Sequence, residues 1–397
     1  MTTPEPAPFT GKKRPKHSIF RTTLLRLGLG LAAITLAGMA AAYLYVLEGM
    51  ESRAIAELRA YIRERGAREE MIFALAEDNH AILRQQILSR LEAGPDPDSD
   101  SRFDQLFVRQ ADGITRNRPE RFDGTRMAGV CIIDPQLPLT GDIRQRVLIF
   151  YDLVNQFGPA WHNRFQDTYI STPENIMVIY WPEVPRWCQD TTTRLYMSIE
   201  EYQWAADEQH NPTRETVWTG LFYDQISGIW MVSCATPVYL GDHQIATIGH
   251  DILLNELLER ALEEHLEGTY NIVLRADGRL ITHPRLSGEI ERKGGYFDIL
   301  TMGDDNLRAV YRAAVEGHEQ EKFFVVNDPA GDRFLAVAHL EGVDWYFITV
   351  YPKAILADLA FDAARMVMLL GLLALLFQGL VLYRVIRSQV GTPWRSC

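Results

Sequence analysis

The chain has 397 residues and a formal net charge of −12, with 47% hydrophobic and 23% charged residues. This length is sufficient for two domains, or for one bilobed domain with a substantial core. The acidic balance, together with the lack of a basic sequence patch interleaved with aromatic residues, argues against a nucleic-acid partner.

Two apolar segments, residues 22–47 and 363–383, are each long enough to cross a bilayer as a helix, because a helix rises about 1.5 Å per residue and the apolar core is about 30 Å thick. Basic residues lie in the tail 1–21 and after the second segment, at Arg384 and Arg387, whereas acidic residues flank the opposite ends. By the positive-inside rule, both termini are predicted to be cytoplasmic and the intervening chain to lie outside.

The first segment is predicted to be a retained transmembrane helix, since its apolar region is long and a basic tail precedes it. Cleavage near Ala40, Ala41 and Ala42 is the alternative, because these small residues are similar to a signal-peptidase site. Residues 384–397 are predicted to form a short cytoplasmic tail without an output domain. The chain would then act through a partner or be part of a longer product.

Residues 48–98 are predicted to form a stalk helix that continues directly from the first span. Apolar residues recur at three- and four-residue steps, and Gly66 is the one weak point. The Gly- and Pro-containing run 94–98 is expected to end this helix. The stalk would pack against a partner helix or against its own domain; a plain core helix is the alternative.

Residues 99–266 and 267–360 are predicted to form two α+β lobes with antiparallel sheets. In the first lobe we expect helices at 143–157, 198–207 and 253–266, and strands at 104–109, 129–133, 175–181, 229–235 and 244–252. In the second lobe we expect a helix at 304–316, and strands at 270–275, 280–283, 321–327, 333–339 and 345–351.

Three cysteines, Cys131, Cys188 and Cys234, fall in the segment predicted to lie outside the membrane. An oxidising compartment would permit one disulfide and leave one thiol, and the sequence does not choose the pair. The alternative is that all three are small buried residues.

Several local patterns resemble those of double Cache (dCache) sensor domains. Residues 218–224 and 227–238 are similar to the family's pocket loop, hairpin and strand, residues 248–252 to its closing strand, and residues 274–284 to the opening hairpin of its membrane-proximal lobe. The resemblance covers about residues 45–360. It implies two PAS-like lobes along one helix, between two transmembrane helices.

The resemblance also implies a ligand site in the membrane-distal lobe, where an arginine holds a carboxylate, an aspartate receives an amine, and aromatic residues form the walls. The family's amino-acid pattern, an arginine followed closely by a Trp-Tyr pair, is not met, so an amino-acid ligand is not predicted. Core packing is the alternative for the aromatics, and a helix N-cap for Asp251. The candidate ligand-binding residues are Tyr180, Trp204, Arg214, Trp218, Tyr223, Asp224 and Asp251.

The aromatic loop 180–188 is predicted to line this site, or to pack on the lobe as a lid. The sequence contains no metalloprotease, nucleophile-elbow or phosphate-loop motif, and its histidines are scattered. We therefore predict no catalytic residue, no metal and no cofactor. An anchored external enzyme remains the rival hypothesis.

These features predict a two-pass sensor of the bacterial inner membrane, with its sensor domain in the periplasm. A small molecule would bind the distal lobe, and a homodimer along the long helix would carry the signal to the second span. One alternative is the sensor half of a truncated diguanylate cyclase or histidine kinase. The other is a ligand-independent membrane protein that binds a partner protein.

Overall fold

The computed structural model describes residues 16–94, 96–257, 266–302, 304–318, 321–328 and 331–390. The chain divides into two compact units. One contains residues 57–352, and the other combines the chain up to Ala56 with the chain from Lys353 onward. We call the first the outer unit and the second the helical unit.

A single helix, α1 (Lys16–Glu92), confirms the prediction of one uninterrupted stalk. The turn at Ala93 and Gly94 follows it, and Gly94 has a φ of +85°, which favours glycine. Gly66 is retained within the helix because the second lobe packs directly on its backbone. A Cβ at that position would lie 2.6 Å from the Phe323 ring and 2.7 Å from the Ala338 methyl.

Two helical segments, 22–92 and 353–385, each contain a candidate membrane-spanning helix, and the helical unit includes the first of them up to Ala56 and all of the second. The contacts between them run antiparallel. Gly28 lies beside Leu382, and Gln378 Nε2 donates a hydrogen bond of 3.2 Å to Thr35 Oγ1. Interhelical hydrogen bonds and small residues stabilise helix pairs in lipid, so this packing suits a membrane. The prediction of two candidate spans is confirmed, while the orientation of the termini stays a prediction.

The first lobe of the outer unit is built on a nine-stranded antiparallel sheet in the order β1-β2-β3-β5-β4-β9-β8-β6, with β7 paired to β8. Its strands are β1 (Phe107–Arg109), β2 (Thr115–Asn117), β3 (Gly129–Ile132), β4 (Thr168–Thr172), β5 (Ile176–Tyr180), β6 (Val217–Trp218), β7 (Phe222–Asp224), β8 (Ile229–Leu240) and β9 (His243–Leu253). Its helices are α2 (Ser99–Leu106), α3 (Gly141–Trp161), α4 (Trp187–Asp190) and α5 (Glu201–Trp204).

The two faces of this sheet bury different clusters. On one face, Leu83 and Ile87 of α1 pack with α3 against Val178 and Tyr180 of β5. On the other face, Trp187 and Cys188 of α4 and Tyr202 of α5 pack with Met177, Ile179 and Trp181. Successive side chains of a strand point to opposite faces, which is why neighbouring residues of β5 and its extension belong to different clusters.

The second lobe is a five-stranded antiparallel sheet in the order β11-β10-β14-β13-β12. The strands are β10 (Tyr270–Arg275), β11 (Leu280–Thr282), β12 (Phe323–Asn327), β13 (Arg333–Leu340) and β14 (Trp345–Pro352). The helices are α6 (Ser287–Arg292), α7 (Ile299–Met302) and α8 (Asp305–His318), and α9 (Lys353–Val390) follows β14 directly.

The predicted α+β class with antiparallel sheets and a long N-terminal helix is confirmed. Two predicted elements differ. The expected strand 104–109 is helical up to Leu106, and the expected helix 198–207 shrinks to the single turn of α5. The helix predicted at 253–266 falls largely on residues 258–265, outside the described residues. The division into domains at the predicted boundaries stays a prediction.

Candidate functional site

A small cavity lies between the first lobe's sheet and the layer formed by α4 and α5. Its volume is about 20 Å³, which is room for roughly one water molecule. Four sheet strands, both short helices and the end of β7 contribute to its walls. The lining residues are Tyr169, Met177, Ile179, Trp181, Trp187, Tyr202, Phe222, Asp224, Met231 and Asp251.

Asp251 of β9 is the most deeply placed carboxylate of this cavity. It is 5% exposed, and Ser233 of the neighbouring strand β8 donates its hydroxyl hydrogen to Asp251 Oδ1. The backbone N–H of Asp251 donates to Asp167 Oδ1 at 3.0 Å, so a second buried carboxylate lies beside the first. The cavity therefore has an anionic floor.

Burial makes the negative charge of this pair unfavourable. Burial raises the pKa of Asp251 from 3.8 to about 6. Burial, with the added repulsion of Asp251, raises the pKa of Asp167 well above its ordinary value. A cation placed in the cavity would relieve this electrostatic cost.

A third carboxylate, Asp224, forms part of the wall. Trp187 Nε1 of α4 donates to Asp224 Oδ2 at 2.9 Å, and the backbone N–H of Ser227 donates to the same oxygen at 2.9 Å. The indole thus ties α4 to the end of β7 at the wall of the cavity. Arg116 holds the other end of α4, since its Nη2 donates to the carbonyl of the C-cap residue Thr191 at 2.6 Å.

Three polar groups of the aromatic walls have no hydrogen-bond partner among the described residues, and one of them is Tyr169 Oη. The other two are Trp181 Nε1 and Tyr202 Oη, in side chains that are 3% and 7% exposed. Burial and the nearby acids raise the pKa of Tyr202 well above 10, so its hydroxyl stays protonated. A buried donor without a partner is costly, which makes both groups available to a ligand atom that accepts hydrogen bonds.

Of the seven predicted ligand-binding residues, Asp224 and Asp251 line the cavity and the other five lie elsewhere. Tyr180 points to the opposite face of the sheet, against Gly158 and His162 of the α3 region. It was predicted as an aromatic wall residue, but strand alternation places its neighbour Trp181 at the cavity.

Trp204 packs its ring 4.9 Å from that of His210. Arg214 lies at the surface over the Tyr239 ring, within 3.5 Å of the Asp242 carboxylate. Neither side chain reaches the cavity, because each already packs or pairs within its own loop or hairpin region.

Trp218 and Tyr223 also point away from the cavity. The Trp218 ring lies 4.8 Å from Phe73 of α1 and 6.5 Å from Trp345 of the second lobe. Tyr223 is 46% exposed and packs on Trp230. Successive side chains of the short strand β7 point to opposite sides, so Asp224 lines the cavity whereas its neighbour Tyr223 does not. The prediction that the seven residues bind a ligand stays a prediction.

Tyr169, Tyr202 and Asp167 were not among the ligand-binding residues predicted from the sequence. Tyr169 lies on β4, a strand that was not predicted. Tyr202 lies on α5, within a predicted helix for which no buried face was identified from the sequence. The aromatic loop 180–188 was the useful signal, because Trp181 and Trp187 both line the cavity.

Cys131, Cys188 and Cys234 are all buried with free thiols. This arrangement matches the interpretation of small buried residues. Among the described residues, no group of three or more His, Cys, Asp or Glu side chains could hold a metal ion.

No protein-family model and no curated protein matches the chain. Similar solved structures include the extracellular domain of the putative histidine kinase mmHK1S-Z3, at 15% identity and a TM-score of 0.46, which covers 79% of this chain and 97% of that one. The periplasmic sensory domain of the Campylobacter jejuni chemoreceptor Tlp1 matches at 13% identity and a TM-score of 0.47, over 77% and 98%.

The ligand-binding domain of the Pseudomonas aeruginosa PAO1 amino-acid chemoreceptor PctB, in complex with L-Gln, matches at 16% identity and a TM-score of 0.36, over 52% of this chain and 74% of that one. These solved structures are sensory or ligand-binding domains of a putative histidine kinase and of chemoreceptors, the kind of protein that the sequence resembles. At these identities and TM-scores the similarity carries no information about a ligand or about the role of any residue.

Proposed function

We propose that this protein is a two-pass membrane sensor whose outer unit binds a small cationic molecule in the cavity of the first lobe. The observation that carries the proposal is the composition of that cavity. Two carboxylates, Asp224 and Asp251, meet aromatic rings there, and none of the described lining residues is basic. Carboxylates and aromatic faces both attract an ammonium group when water is excluded.

The preferred ligand is a primary amine that also carries a hydrogen-bond acceptor. Its ammonium group would bind between Asp251 and Asp224, and its acceptor would receive hydrogen bonds from Trp181 Nε1 and Tyr202 Oη. Both donors are buried and lack partners among the described residues. A hydrogen bond to the ligand would remove the free-energy cost of leaving them unpaired, and this would strengthen binding.

Binding requires the cavity to expand, because a volume of about 20 Å³ is too small for an organic molecule. The movable wall is α4, a helix of four residues joined to β7 by the bond from Trp187 to Asp224. The ligand would compete for Asp224, release Trp187 and favour an open state. A ligand shifts a conformational equilibrium only by its difference in affinity between two states. The replacement of Trp187 by the ligand at Asp224 would supply such a difference.

The signal would then pass along α1, which packs against both lobes of the outer unit. Leu83 and Ile87 contact the first lobe, while Phe73 touches Trp218 of the first lobe and Trp345 of the second. The second lobe ends at β14, whose last residue precedes α9. We propose a homodimer in the bacterial inner membrane with cytoplasmic termini, an outer unit in the periplasm and no catalytic activity of its own.

Calorimetric titration of the full-length chain in lipid nanodiscs tests this function. We would compare ethylamine, putrescine and ethanolamine with ethanol and ethylene glycol as uncharged analogues. We expect one-site binding of an amine and none of the alcohols. Asp251→Asn should weaken that binding about 10- to 100-fold, the effect of losing a charged hydrogen-bond partner.

Asp242→Asn is the matched control, because that carboxylate lies in the turn between β8 and β9 and is 95% exposed. It should leave amine binding unchanged. Binding should also weaken as the pH falls below about 6, since protonated Asp251 cannot pair with an ammonium group. Failure of all amines to bind, or equal binding by Asp251→Asn and wild type, would contradict the proposed site and favour a partner-binding role.

A further inference from the structure

The second lobe contains a larger cavity, of about 520 Å³, between the start of β10 and the N-terminal end of α8. This volume is in the range of small-molecule sites. Its polar wall includes two arginines, in contrast to the cavity of the first lobe, which has no basic lining residue. The polar and charged side chains of this wall include Tyr270, His283, Arg285, Asp304, Asn306 and Arg333.

Arg333 forms the fixed part of this wall. Its side chain is 12% exposed and pairs with Asp328, which neutralises its charge. Its Nη1 donates to Tyr270 Oη at 3.2 Å, and its Nη2 donates to Asn306 Oδ1. Because Tyr270 Oη accepts this bond, its own hydrogen is free to point into the cavity. The network thus joins β10, β13 and α8 and presents a preorganised hydroxyl donor.

His283 supplies a second donor. It is 9% exposed, and its Nδ1 accepts the backbone N–H of Arg285 at 3.1 Å, so the ring proton resides on Nε2. Burial, reinforced by the positive charge of Arg285, lowers the pKa of His283, and the ring is neutral near pH 7. Nε2 has no hydrogen-bond partner within the described segments, so a nine-tenths buried donor is available at the cavity.

Arg285 supplies the uncompensated positive charge. It is exposed at the mouth of the cavity and forms no ion pair within the part of the chain that the structure describes. Asp304 lies on the same rim, but its Oδ1 accepts the backbone N–H of Leu307 at 2.8 Å and caps α8. A carboxylate on the rim repels a second negative charge, so the site favours a monoanion over a dianion.

The remaining wall is apolar and includes Ile272, Leu286, Leu307 and Val310. A hydrated inorganic anion gains nothing from such a surface, whereas a short hydrocarbon chain does. The ligand class that satisfies both walls has one negative charge and an apolar body.

We propose that the second lobe binds a short-chain monocarboxylate, with its carboxylate between Arg285, His283 Nε2 and the Tyr270 hydroxyl and its chain against Leu307 and Val310. This site is separate from the cavity of the first lobe and does not depend on an amine ligand. It would give the outer unit two inputs of opposite charge.

Saturation-transfer NMR and calorimetry on the full-length chain in nanodiscs would test this site with butyrate as the probe. We expect saturable one-site binding, with stronger saturation transfer to the butyrate methyl group than to the methylene beside the carboxylate. Butylamine and 1-butanol should not compete. Arg285→Gln should raise the Kd for butyrate about tenfold, by loss of one charged partner.

Arg292→Gln is the matched control, since Arg292 lies on the exposed side of α6 in the same lobe and outside the cavity. It should leave butyrate binding unchanged, as should Asp251→Asn in the first lobe. Equal butyrate affinity in Arg285→Gln and Arg292→Gln would overturn the proposal. Tighter binding of inorganic phosphate than of butyrate would do the same, because it would show an anion site without a role for the apolar wall.

Discussion

Replacing Asp251 with asparagine should stabilise the outer unit at alkaline pH, although the substitution removes a site residue. Above pH 6 the wild-type carboxylate is ionised in a buried position next to Asp167. The difference between a pKa of about 6 and the ordinary 3.8 corresponds to about 3 kcal/mol, since one pKa unit is worth about 1.36 kcal/mol. Asparagine carries no charge, and its oxygen can still accept the Ser233 hydroxyl.

The sign of the pH dependence follows from the raised pKa. Native Asp251 binds its proton more tightly than the unfolded chain does, so wild type loses this stability as the pH rises from 3.8 to about 6. The advantage of Asp251→Asn should therefore be absent near pH 4 and reach about 3 kcal/mol near pH 8, or about 5 °C in Tm for a unit of this size.

Thermal unfolding of the full-length chain in detergent, followed by tryptophan fluorescence at both pH values, would measure this difference. The exposed Asp242→Asn variant should match wild type at each pH. If Asp251→Asn were destabilised equally at both pH values, the carboxylate would be a structural hydrogen-bond partner without electrostatic strain, and the account of an anionic cavity would be wrong.

Three further predictions concern packing and acid sensitivity. Phe73→Ala should reduce the free energy of unfolding by about 3–5 kcal/mol, because the ring joins α1 to both lobes, whereas the exposed Met71→Ala should change it by less than about 0.5 kcal/mol in urea titrations. Burial lowers the pKa of His250 from 6.5 to about 4, so the free energy of unfolding of wild type should fall by about 3 kcal/mol as the pH falls from 6.5 to 4. In urea unfolding, His250→Gln should remove this part of the pH dependence. Gly249→Ala should cost about 1–3 kcal/mol and weaken amine binding in calorimetry, because the added methyl group would collide with the Tyr169 ring at the cavity wall; unchanged stability and affinity would contradict the packing described.

The helices and strands that were predicted correctly are those with a strong local sequence pattern. The stalk helix follows from an uninterrupted three- and four-residue periodicity, and β8, β9, β13 and β14 follow from apolar, β-branched runs with turns between them. Asp251 was predicted as a site residue because the resemblance places an aspartate at the end of the closing strand, and it does line the cavity.

The rest of the site depends on contacts between distant segments. Tyr169 approaches Gly249 only because β4 pairs with β9, and no local pattern indicates β4 by itself. Trp218 was chosen as an aromatic near the expected pocket loop, but the packing of α1 and the second lobe turns it toward Phe73 and Trp345. No local pattern encodes such a choice between two buried environments.

Cross-linking of the two spans in membranes would show whether binding in the first lobe is communicated to them. Gly371 of α9 packs against Met39 of α1, so Met39→Cys with Gly371→Cys, in a Cys397→Ser background, places two thiols at their contact. The rate of disulfide formation would be measured with and without the amine that binds best in calorimetry. We predict a ligand-dependent change of rate that is absent in Asp251→Asn. An unchanged rate at saturating ligand would mean that the outer unit binds without signalling through these helices.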